Sequence, residues 1–483
     1  MSDGTGGELL SWTGHPLVDV GIAGLTAFAG RRDPTEVTAD EIDEFRRFAE
    51  QQYLTGDLMK SIGVLFTMNS FLHPTKSAEQ RQAIIRDAID SYRAPHHPGL
   101  PSCIFCGRDS IAVLHREHVP MILGQSVVNF YPGGKPGLSV CGNCRLALHG
   151  LSVAAPRCSG KALVVFTDDR EFQVELVREW VQRARKIAEL GSVGEAGALR
   201  APRTRVVEAL VRVERAGMRQ NQPIGVVAYH ISNSGQGPGI DVLPLPSTVV
   251  SFVRRASAGR YRDTWQAIQR RAWQRIDRKG TSAADIDDER RGEYRNYLYE
   301  DLFSLPESTG RFIRLYFLRN AAGLVQRSVD DPRSDYDTGA EIDLVQWALV
   351  ELFVVEVLGM DQARVSAIRT LGDRLADEVV VANDRRLLRL AYMARDYRTV
   401  RRILLQVDRR TLERSAAPVI GLDDFLLVFE EGEELARTDW RLAWDLVLIR
   451  MIEQLYKAGK AGMVTDAVGE EDIDLAEEAE AAV

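Results

Sequence analysis

Two closely spaced pairs of cysteines constrain this chain more than any other feature of its sequence. The pairs are Cys103-Ile-Phe-Cys106 and Cys141-Gly-Asn-Cys144, separated by 34 residues. Two residues between thiolates let both sulphur atoms reach one ion from a tight turn, and two such turns complete a tetrahedral site of the structural kind. Gly107 and Gly142 are expected to supply the backbone freedom of these turns. The sequence therefore predicts structural zinc with these four cysteines as ligands.

The cysteine count indicates a reducing compartment. Five cysteines are too few to stabilise 483 residues through disulfides, and four of them belong to the metal pattern. The fifth, Cys158, lies outside it and is expected to be a small buried apolar residue. Residues 1–7 show no basic stretch followed by an apolar core, and no run of 18 apolar residues occurs. We therefore expect a cytoplasmic protein without a membrane span.

Length and composition predict several globular domains. Of the 483 residues, 45% are hydrophobic and 27% charged, and two to four domains are the natural expectation. The expected fold class is α+β, with a mixed N-terminal region, an inserted four-cysteine zinc ribbon, and a predominantly helical C-terminal half ending in a helical bundle. The predicted divisions are an N-terminal α/β region (1–95), a zinc-ribbon module (96–160), a central basic region changing from α/β to helical (161–355), a helical bundle (356–465) and an acidic disordered segment (466–483).

Local patterns predict the main elements. Thr38-Ala-Asp-Glu41 is a capping box and predicts the start of a helix. Short apolar runs predict strands over 162–167 and 226–231, and the glycine-rich residues 232–239 predict a flexible loop. Residues 16–29 predict a buried helix or strand. Apolar periodicity predicts further helices over 175–190, 247–277 and 340–358, and helix after helix from 360 to about 460.

Charge is distributed unevenly along the chain. The net charge is −8, but residues 200–280 contain 15 Arg and Lys against 5 Asp and Glu, a net of +10. Residues 466–483 contain 8 acidic residues and no basic one. A basic segment inside an acidic chain is compatible with an anionic partner such as nucleic acid. A solvated helical face would explain the same pattern.

Polar residues near the cysteines also fit a catalytic interpretation. The residues concerned are His115, Glu117, His118, Asn129 and His149. They resemble the pattern of zinc-stabilised HNH nucleases, in which Glu-His or Asp-His follows the first cysteine pair. In that class an asparagine stands a few residues before the second pair, whereas a glycine hairpin (131–137) intervenes here. We favour packing or hydrogen-bonding roles for His118 and His149 beside the metal. The alternative is a nuclease with His118 as general base, and with Asn129 and His149 supporting a catalytic metal.

Several segments resemble one family of proteins. The segment Asn129–Cys144 is similar to the second half of the zinc module in the CXXC–CXXC large subunits of type I-B CRISPR Cascade complexes. Four more segments resemble the same family in the same order along the chain: Thr13–Ile22, Phe66–Ser70, Tyr229–Asp241 and Leu243–Arg255. The resemblance covers most of the chain, including the helical C-terminal part.

This resemblance implies a binding subunit without catalytic residues. Such a subunit lies at one end of the guide-RNA complex, recognises the protospacer-adjacent motif, helps to start strand separation, and recruits the helicase–nuclease. The implied partners are CRISPR RNA, double-stranded target DNA, the Cascade backbone and other subunits, and the helicase–nuclease. Guide pairing performs the sequence search itself. Besides the nuclease, a zinc-containing scaffold protein without nucleic-acid binding remains an alternative.

Candidate DNA contacts follow from this expectation. Short polar side chains in a glycine-rich loop suit the edges of bases, and arginines suit backbone phosphates. A lysine at the tip of the 131–137 hairpin suits a phosphate or the minor groove. Turn-forming or solvated roles would explain the same residues without DNA. The predicted contacts are Lys135, Asn233, Ser234, Gln236, Arg254, Arg255, Arg270, Arg271 and Arg275.

A small subunit encoded within the same gene is a second implication of the resemblance. In type I-B systems the small helical subunit is commonly translated from within the large-subunit gene. Met360 stands at the start of the final helical module, and a product beginning there would contain 124 residues (483 − 360 + 1). Residues 361–410 contain 12 Arg against 7 acidic residues, which suits the lining of a displaced DNA strand.

Overall fold

The computed structural model describes residues 8–66, 73–122, 137–191, 198–215, 224–234, 237–276, 288–318, 347–414, 417–431 and 435–467. Of this part, 63% is helical and 12% is strand, which confirms the predicted α+β class with a helical C-terminal half. The chain divides into two compact units, here called unit one (1–250 with 287–294) and unit two (251–286 with 295–483). The divisions predicted at 95/96 and 160/161 fall inside unit one, and that at 355/356 falls inside unit two. No described helix is long and apolar enough to span a membrane.

Unit one combines seven helices of the described chain with two small sheets. The helices are α1 (Pro16–Phe28), α2 (Ala39–Gln52), α3 (Gly56–Ile62), α4 (Ala78–Ile89), α5 (Gly142–Ala154), α6 (Arg170–Leu190) and α7 (Pro202–Arg215). The strands are β1 (Ala112–Leu114), β2 (Leu138–Val140), β3 (Arg157–Cys158), β4 (Lys161–Thr167), β5 (Val226–Ser234) and β6 (Gly237–Leu245). The predicted capping box is confirmed, because Thr38 Oγ1 accepts from the Glu41 amide and Glu41 accepts from the Thr38 amide.

Strands β3, β4, β5 and β6 form one antiparallel sheet in that order. The strands predicted at 162–167 and 226–231 are confirmed, but the loop predicted at 232–239 is wrong. Pairing continues through Asn233 opposite Pro238 to Ser234 opposite Gly237. Proline and glycine are tolerated here because β6 is the outer strand of the described sheet, where one side needs no hydrogen-bond donor.

Helix α1 crosses α5 at very short range. A Cβ atom at Gly21 would lie 1.9 Å from the carbonyl oxygen of Ala147, and one at Gly150 would lie 2.3 Å from that of Gly21. Glycine is therefore required at this crossing, since any side chain would collide with backbone of the other helix. Helix α1 also packs on α6 and β4, which explains why almost its whole surface is buried.

Unit two contains most of the remaining helices. They are α8 (Ser247–Ala256, which begins in unit one), α9 (Arg262–Arg271), α10 (Tyr297–Asp301), α11 (Thr309–Ile313), α12 (Trp347–Leu358), α13 (Gln362–Ala382), α14 (Arg385–Met393), α15 (Tyr397–Glu413), α16 (Leu422–Phe429), α17 (Trp440–Lys457) and α18 (Ala461–Ala467). Its short strands are β7 (Trp273–Arg275), β8 (Tyr294–Asn296, which begins in unit one), β9 (Glu430–Glu431) and β10 (Leu435–Ala436).

The core of unit two joins an aromatic cluster to a helical bundle. Phe353 stacks on Phe312 at 5.1 Å and meets Phe252 edge-on at 5.1 Å. In the bundle, buried Arg364 of α13 forms two hydrogen bonds to Asp439, 2.6 and 2.9 Å long, and one to the Val428 carbonyl. The succession of helices predicted from 360 to 460 is confirmed.

The single helix predicted over 247–277 is wrong. Helix α8 ends at Ala256, Gly259 adopts the left-handed conformation (φ +55°), and α9 starts at Arg262. Residues 273–275 form strand β7. Glycine takes a positive φ at little cost, and this break outweighs the apolar periodicity on either side of it. Of the helix predicted over 340–358, residues 347–358 are helical and the first seven lie outside the described residues.

Candidate metal centre

The first cysteine pair lies in a tight turn. The Cys103 amide donates to the Arg108 carbonyl at 2.7 Å, and the Gly107 amide donates to the Cys103 carbonyl at 2.8 Å. Gly107 has φ +74°, so its predicted role in the turn is confirmed. The Ile104 amide donates to the Ser139 carbonyl of β2 at 3.0 Å, which fixes this turn to the β1–β2 hairpin.

The second pair lies at the start of α5. Cys141 follows β2 directly and caps the helix, with its Sγ accepting from the Cys144 amide at 3.4 Å. The predicted role of Gly142 is wrong, because this residue is helical. A Cβ atom there would lie 1.9 Å from the Ser91 carbonyl oxygen. The two pairs therefore come from a turn and a helix N-terminus.

The four sulphur atoms lie within 4.8 Å of one another. Cys106 Sγ and Cys141 Sγ are 3.4 Å apart, and three of the four cysteines are buried while Cys106 is half-buried. In tetrahedral thiolate sites, bonds of about 2.3 Å put sulphur atoms about 3.8 Å apart. The cluster therefore has the dimensions of a closed four-thiolate metal site. Among the residues that the structure describes, no other group of three His, Cys, Asp or Glu has such an arrangement.

Thiol electrostatics favour a cation at this cluster. Hydrogen bonds from the Cys141 and Cys144 thiols lower the pKa of Cys103 to about 2. The same cluster raises the pKa of Cys141 to about 12 and raises that of Cys144 as well. One thiolate therefore forms readily and opposes the next, so four thiolates require a positive ion among them. Cys158 lies apart in β3, and burial raises the pKa of its thiol to about 12, as expected of an inert buried cysteine.

Two histidines of unit one, His118 and His149, lie close enough to influence each other's charge. His149 of α5 is fully buried and stacks on Phe66 at 4.8 Å. Burial lowers its pKa well below 6.5, and Arg145 and His118 lower it further. Burial, followed by the charge of Arg145, lowers the pKa of His118 to about 4. The burial of His149 agrees with the packing role that we favoured.

The lowered pKa values of His118 and His149 predict that the folded protein becomes less stable in acid. An unfolded chain binds protons on both rings near pH 6.5, whereas the folded chain does not until the pH is far lower, so stability is lost as the pH falls below 6.5. The His118 ring alone is expected to reduce the free energy of unfolding by roughly 1 kcal/mol between pH 7 and pH 5.5. Urea unfolding at several pH values measures this slope. His118→Gln should flatten it, while His96→Gln removes an exposed imidazole as control. Equal slopes in all three proteins would contradict the assignment.

The described members of the predicted DNA-contact set are divided between the two units, with residues 233 and 234 in unit one and the five arginines in unit two. Asn233 is buried, accepts from Arg116 at 3.2 Å and donates to the Leu65 carbonyl at 3.1 Å. It lies in a paired strand and not at a loop tip, and its role as a base contact stays a prediction. Ser234 ends the described part of β5, and nothing is described of its side chain. Lys135, Gln236 and Asn129 lie outside the described residues.

The predicted arginines differ in exposure. Arg254 is 7% exposed, because it lies on α8 beside the buried Val250 and Val253, and its role as a phosphate contact stays a prediction. Arg255 is exposed and pairs with Glu356 of the same unit. Arg270 is exposed, and Arg271 and Arg275 are half-buried. Among the five predicted arginines, Arg255 and Arg270 are thus the ones most exposed to solvent.

A denser cationic surface lies elsewhere, on α14, α15 and the residues between them. Residues 385–402 contain seven arginines and one acidic residue, Asp396. All seven arginines are exposed, because α14 and α15 bury their apolar sides in the bundle. We call this surface the arginine face, with members Arg385, Arg386, Arg389, Arg395, Arg398, Arg401 and Arg402. The high density of arginines over 385–402 could have identified this surface from the sequence. Counting charges over the longer segment 361–410 obscured it, because that segment also contains seven acidic residues.

The interpretation of the site depends on this geometry. No protein-family model, curated protein or solved structure matches the chain. The cysteine cluster is a candidate metal site by its own dimensions and chemistry.

Proposed function

We propose that the cysteine cluster binds one structural zinc ion. Tetrahedral sites made of soft thiolates select zinc, and four protein ligands leave no open position for a substrate. The ion would join the 103–108 turn to the N-terminus of α5, and Cys141 and Cys144 would gain further from the positive end of that helix. Its role is therefore to fix the hairpin against α5, without chemistry of its own.

The chain as a whole is proposed to be the large subunit of a cytoplasmic type I-B CRISPR Cascade complex. In this role it binds target DNA next to the guide RNA, recognises the protospacer-adjacent motif, and recruits the helicase–nuclease. The ordered segments from Thr13–Ile22 to Leu243–Arg255 support this proposal, together with a cysteine module followed by a helical C-terminal half.

The arginine face carries the nucleic-acid part of this proposal. Seven exposed arginines on two consecutive helices form an electrostatic footprint suited to a phosphate backbone. Single-stranded nucleic acid is held by such grooves through charge and stacking, with little dependence on sequence. Arg255 and Arg270 are the most exposed of the candidates for duplex phosphates.

Reversing two charges on the arginine face is expected to weaken binding of single-stranded DNA. For Arg398→Glu with Arg402→Glu, loss of two phosphate contacts should reduce the slope of log K against log salt by about 1.4. Fluorescence anisotropy with a labelled oligonucleotide at several salt concentrations measures this slope. Arg369→Glu, an exposed arginine of α13 outside the face, is the control. An unchanged slope would contradict the assignment, and no salt-dependent binding by the wild type would favour the zinc-containing scaffold alternative.

An internal start at Met360 fits the described helices. Helix α12 ends at Leu358, Gly359 has φ +62°, and Asp361 caps α13 by accepting from the Ala363 amide at 2.7 Å. A product beginning at Met360 would thus open on a capped helix and retain the Arg364–Asp439 pair. Replacing the Met360 codon by one that cannot initiate should remove a small co-purifying subunit. Its persistence would contradict this part of the proposal.

One observation favours the nuclease alternative. Strands β1 and β2 pair in antiparallel fashion and lead into α5, a ββα order in which His115 and His118 follow the first strand. Against it, His149 is fully buried and cannot support a catalytic ion that contacts DNA. Metal-dependent cleavage by the wild type that His118→Ala abolishes, with binding retained, would establish the nuclease. Absence of cleavage in both proteins is the result that our proposal predicts.

A further inference from the structure

The segment that carries the arginine face is strongly cationic in sequence, with seven arginines and one acidic residue over 385–402. Arg386, Arg395, Arg398, Arg401 and Arg402 are exposed, and Asp396 is the single acidic residue of 385–402. Further along α15 and just beyond it, three more arginines form ion pairs: Arg409 with Glu413, Arg410 with Asp384, and Arg414 with Glu378. Leu390 and Leu405 are exposed among these cations, and Leu405 is 63% exposed. The surface therefore suits an acidic partner that also carries apolar side chains.

The chain itself contains such a segment. Residues 468–483 include seven acidic residues and no basic one. Two apolar residues, Ile473 and Leu475, stand among the acids. The composition of this segment is complementary to the arginine face in both charge and apolar content.

The acidic segment follows a helix that packs against α14, one of the two helices that carry the arginine face. Helix α18 packs against α14, with Met463 and Val464 buried, and it ends at Ala467. Thirteen residues lead from there to Glu480, which span up to about 43 Å when extended. Helix α15 is roughly 25 Å long at 1.5 Å per residue, so the segment can reach the whole face. Tethering at this distance gives an effective concentration of about a millimolar, so weak ionic contacts suffice.

We propose that the acidic residues 470–480 dock on the arginine face of the same chain. Docking neutralises a surface that would otherwise attract polyanions, and it is electrostatic, so salt weakens it. Under the proposed function, the acidic segment competes with single-stranded DNA for this surface. Non-specific binding of DNA then requires a higher DNA concentration. This regulatory consequence rests on the proposed function, whereas the docking itself does not.

Carbodiimide crosslinking of charge-conserving variants tests the docking without nucleic acid. Arg398→Lys and Arg402→Lys keep the charge of the face and supply amines that activated carboxylates of residues 470–480 can join. Arg369→Lys places a matched amine on α13 outside the face. Lys457 and Lys460 are close to the segment in sequence, and crosslinks to them show in every sample that the carboxylates were activated.

Mass spectrometry of monomeric product should show crosslinks from residues 470–480 to position 398 or 402. These should exceed crosslinks to position 369 at least about fivefold at low salt and fall in about 0.5 M salt, where the screening length is roughly 4 Å. Equal crosslinking to position 369, or none to the face, would overturn the proposal. Crosslinks confined to dimers would assign the occupant to a second copy and also overturn it. Crosslinks without any DNA binding would refute the proposed function alone, and DNA binding without crosslinks would refute the docking alone.

Discussion

Replacing Cys141 by serine is expected to remove zinc from the protein and to unfold the region around the hairpin and α5. In the proposed site Cys141 is one of four thiolate ligands, and serine at this position can still cap α5, so the substitution isolates the loss of one thiolate. Structural zinc contributes about 10–16 kcal/mol in small zinc modules, which matches or exceeds the whole stability of an ordinary domain. Metal content should therefore fall from about one zinc ion per chain to nearly none.

The measurement is elemental analysis of purified protein, combined with thermal unfolding. Cys158→Ala is the matched control, because this buried cysteine lies in β3, outside the cluster. The control should keep its zinc and lose only the packing of one sulphur atom. Full zinc content in Cys141→Ser, or equal loss in the control, would contradict the assignment of the ligands.

Replacing Gly21 by alanine is expected to reduce the free energy of unfolding by about 3 kcal/mol or more. The added Cβ would lie 1.9 Å from the Ala147 carbonyl oxygen, so α1 and α5 must move apart. The atoms nearest to the added Cβ are backbone atoms of Ala147 and Leu151 in α5, so no flexible side chain can move aside instead. Because α5 begins with the second cysteine pair, the variant should also bind zinc less tightly.

Chemical denaturation measures this loss. Gly310→Ala is the matched control, a helical glycine whose added Cβ would meet nothing within 4 Å. It should change stability by less than about 1 kcal/mol, since alanine is the better helix former. A Gly21→Ala protein as stable as the control would contradict the described crossing.

Features that depend on neighbouring residues were predictable from the sequence. The cysteine spacing identified the cluster, and Thr38 and Glu41 identified the start of α2, because ligand pairs and helix caps are made within a few residues. The runs 162–167 and 226–231 identified β4 and β5, since both are almost wholly apolar strands. Cys158 was correctly separated from the metal ligands because no second cysteine stands near it in sequence.

Features decided by distant residues were not predictable in this way. The glycine-rich segment 232–239 has a loop-like composition, yet Asn233 is fixed by Val64, Leu65 and Arg116, which are more than 100 residues away. Gly142 resembled a turn glycine, but glycine is required there because a side chain would collide with the backbone of Ser91. Only the folded chain shows these contacts.

The difference in exposure between Arg254 and Arg255 has a more local cause. On α8, Arg254 follows Val250 by four residues and so shares the face that enters the core. A helical projection would have separated it from Arg255. The same projection on α15 groups Arg398, Arg401 and Arg402 opposite the buried Val400, Ile403, Leu404 and Val407. Charge along the sequence is informative once each residue is assigned to a face.

Affinity purification of the tagged chain from its native host tests the central claim most directly. Bound RNA would be sequenced and partner proteins identified by mass spectrometry. A Cascade large subunit should co-purify with short repeat-flanked RNAs and with several copies of one backbone protein. Recovery of the chain alone, without RNA, would contradict the claim.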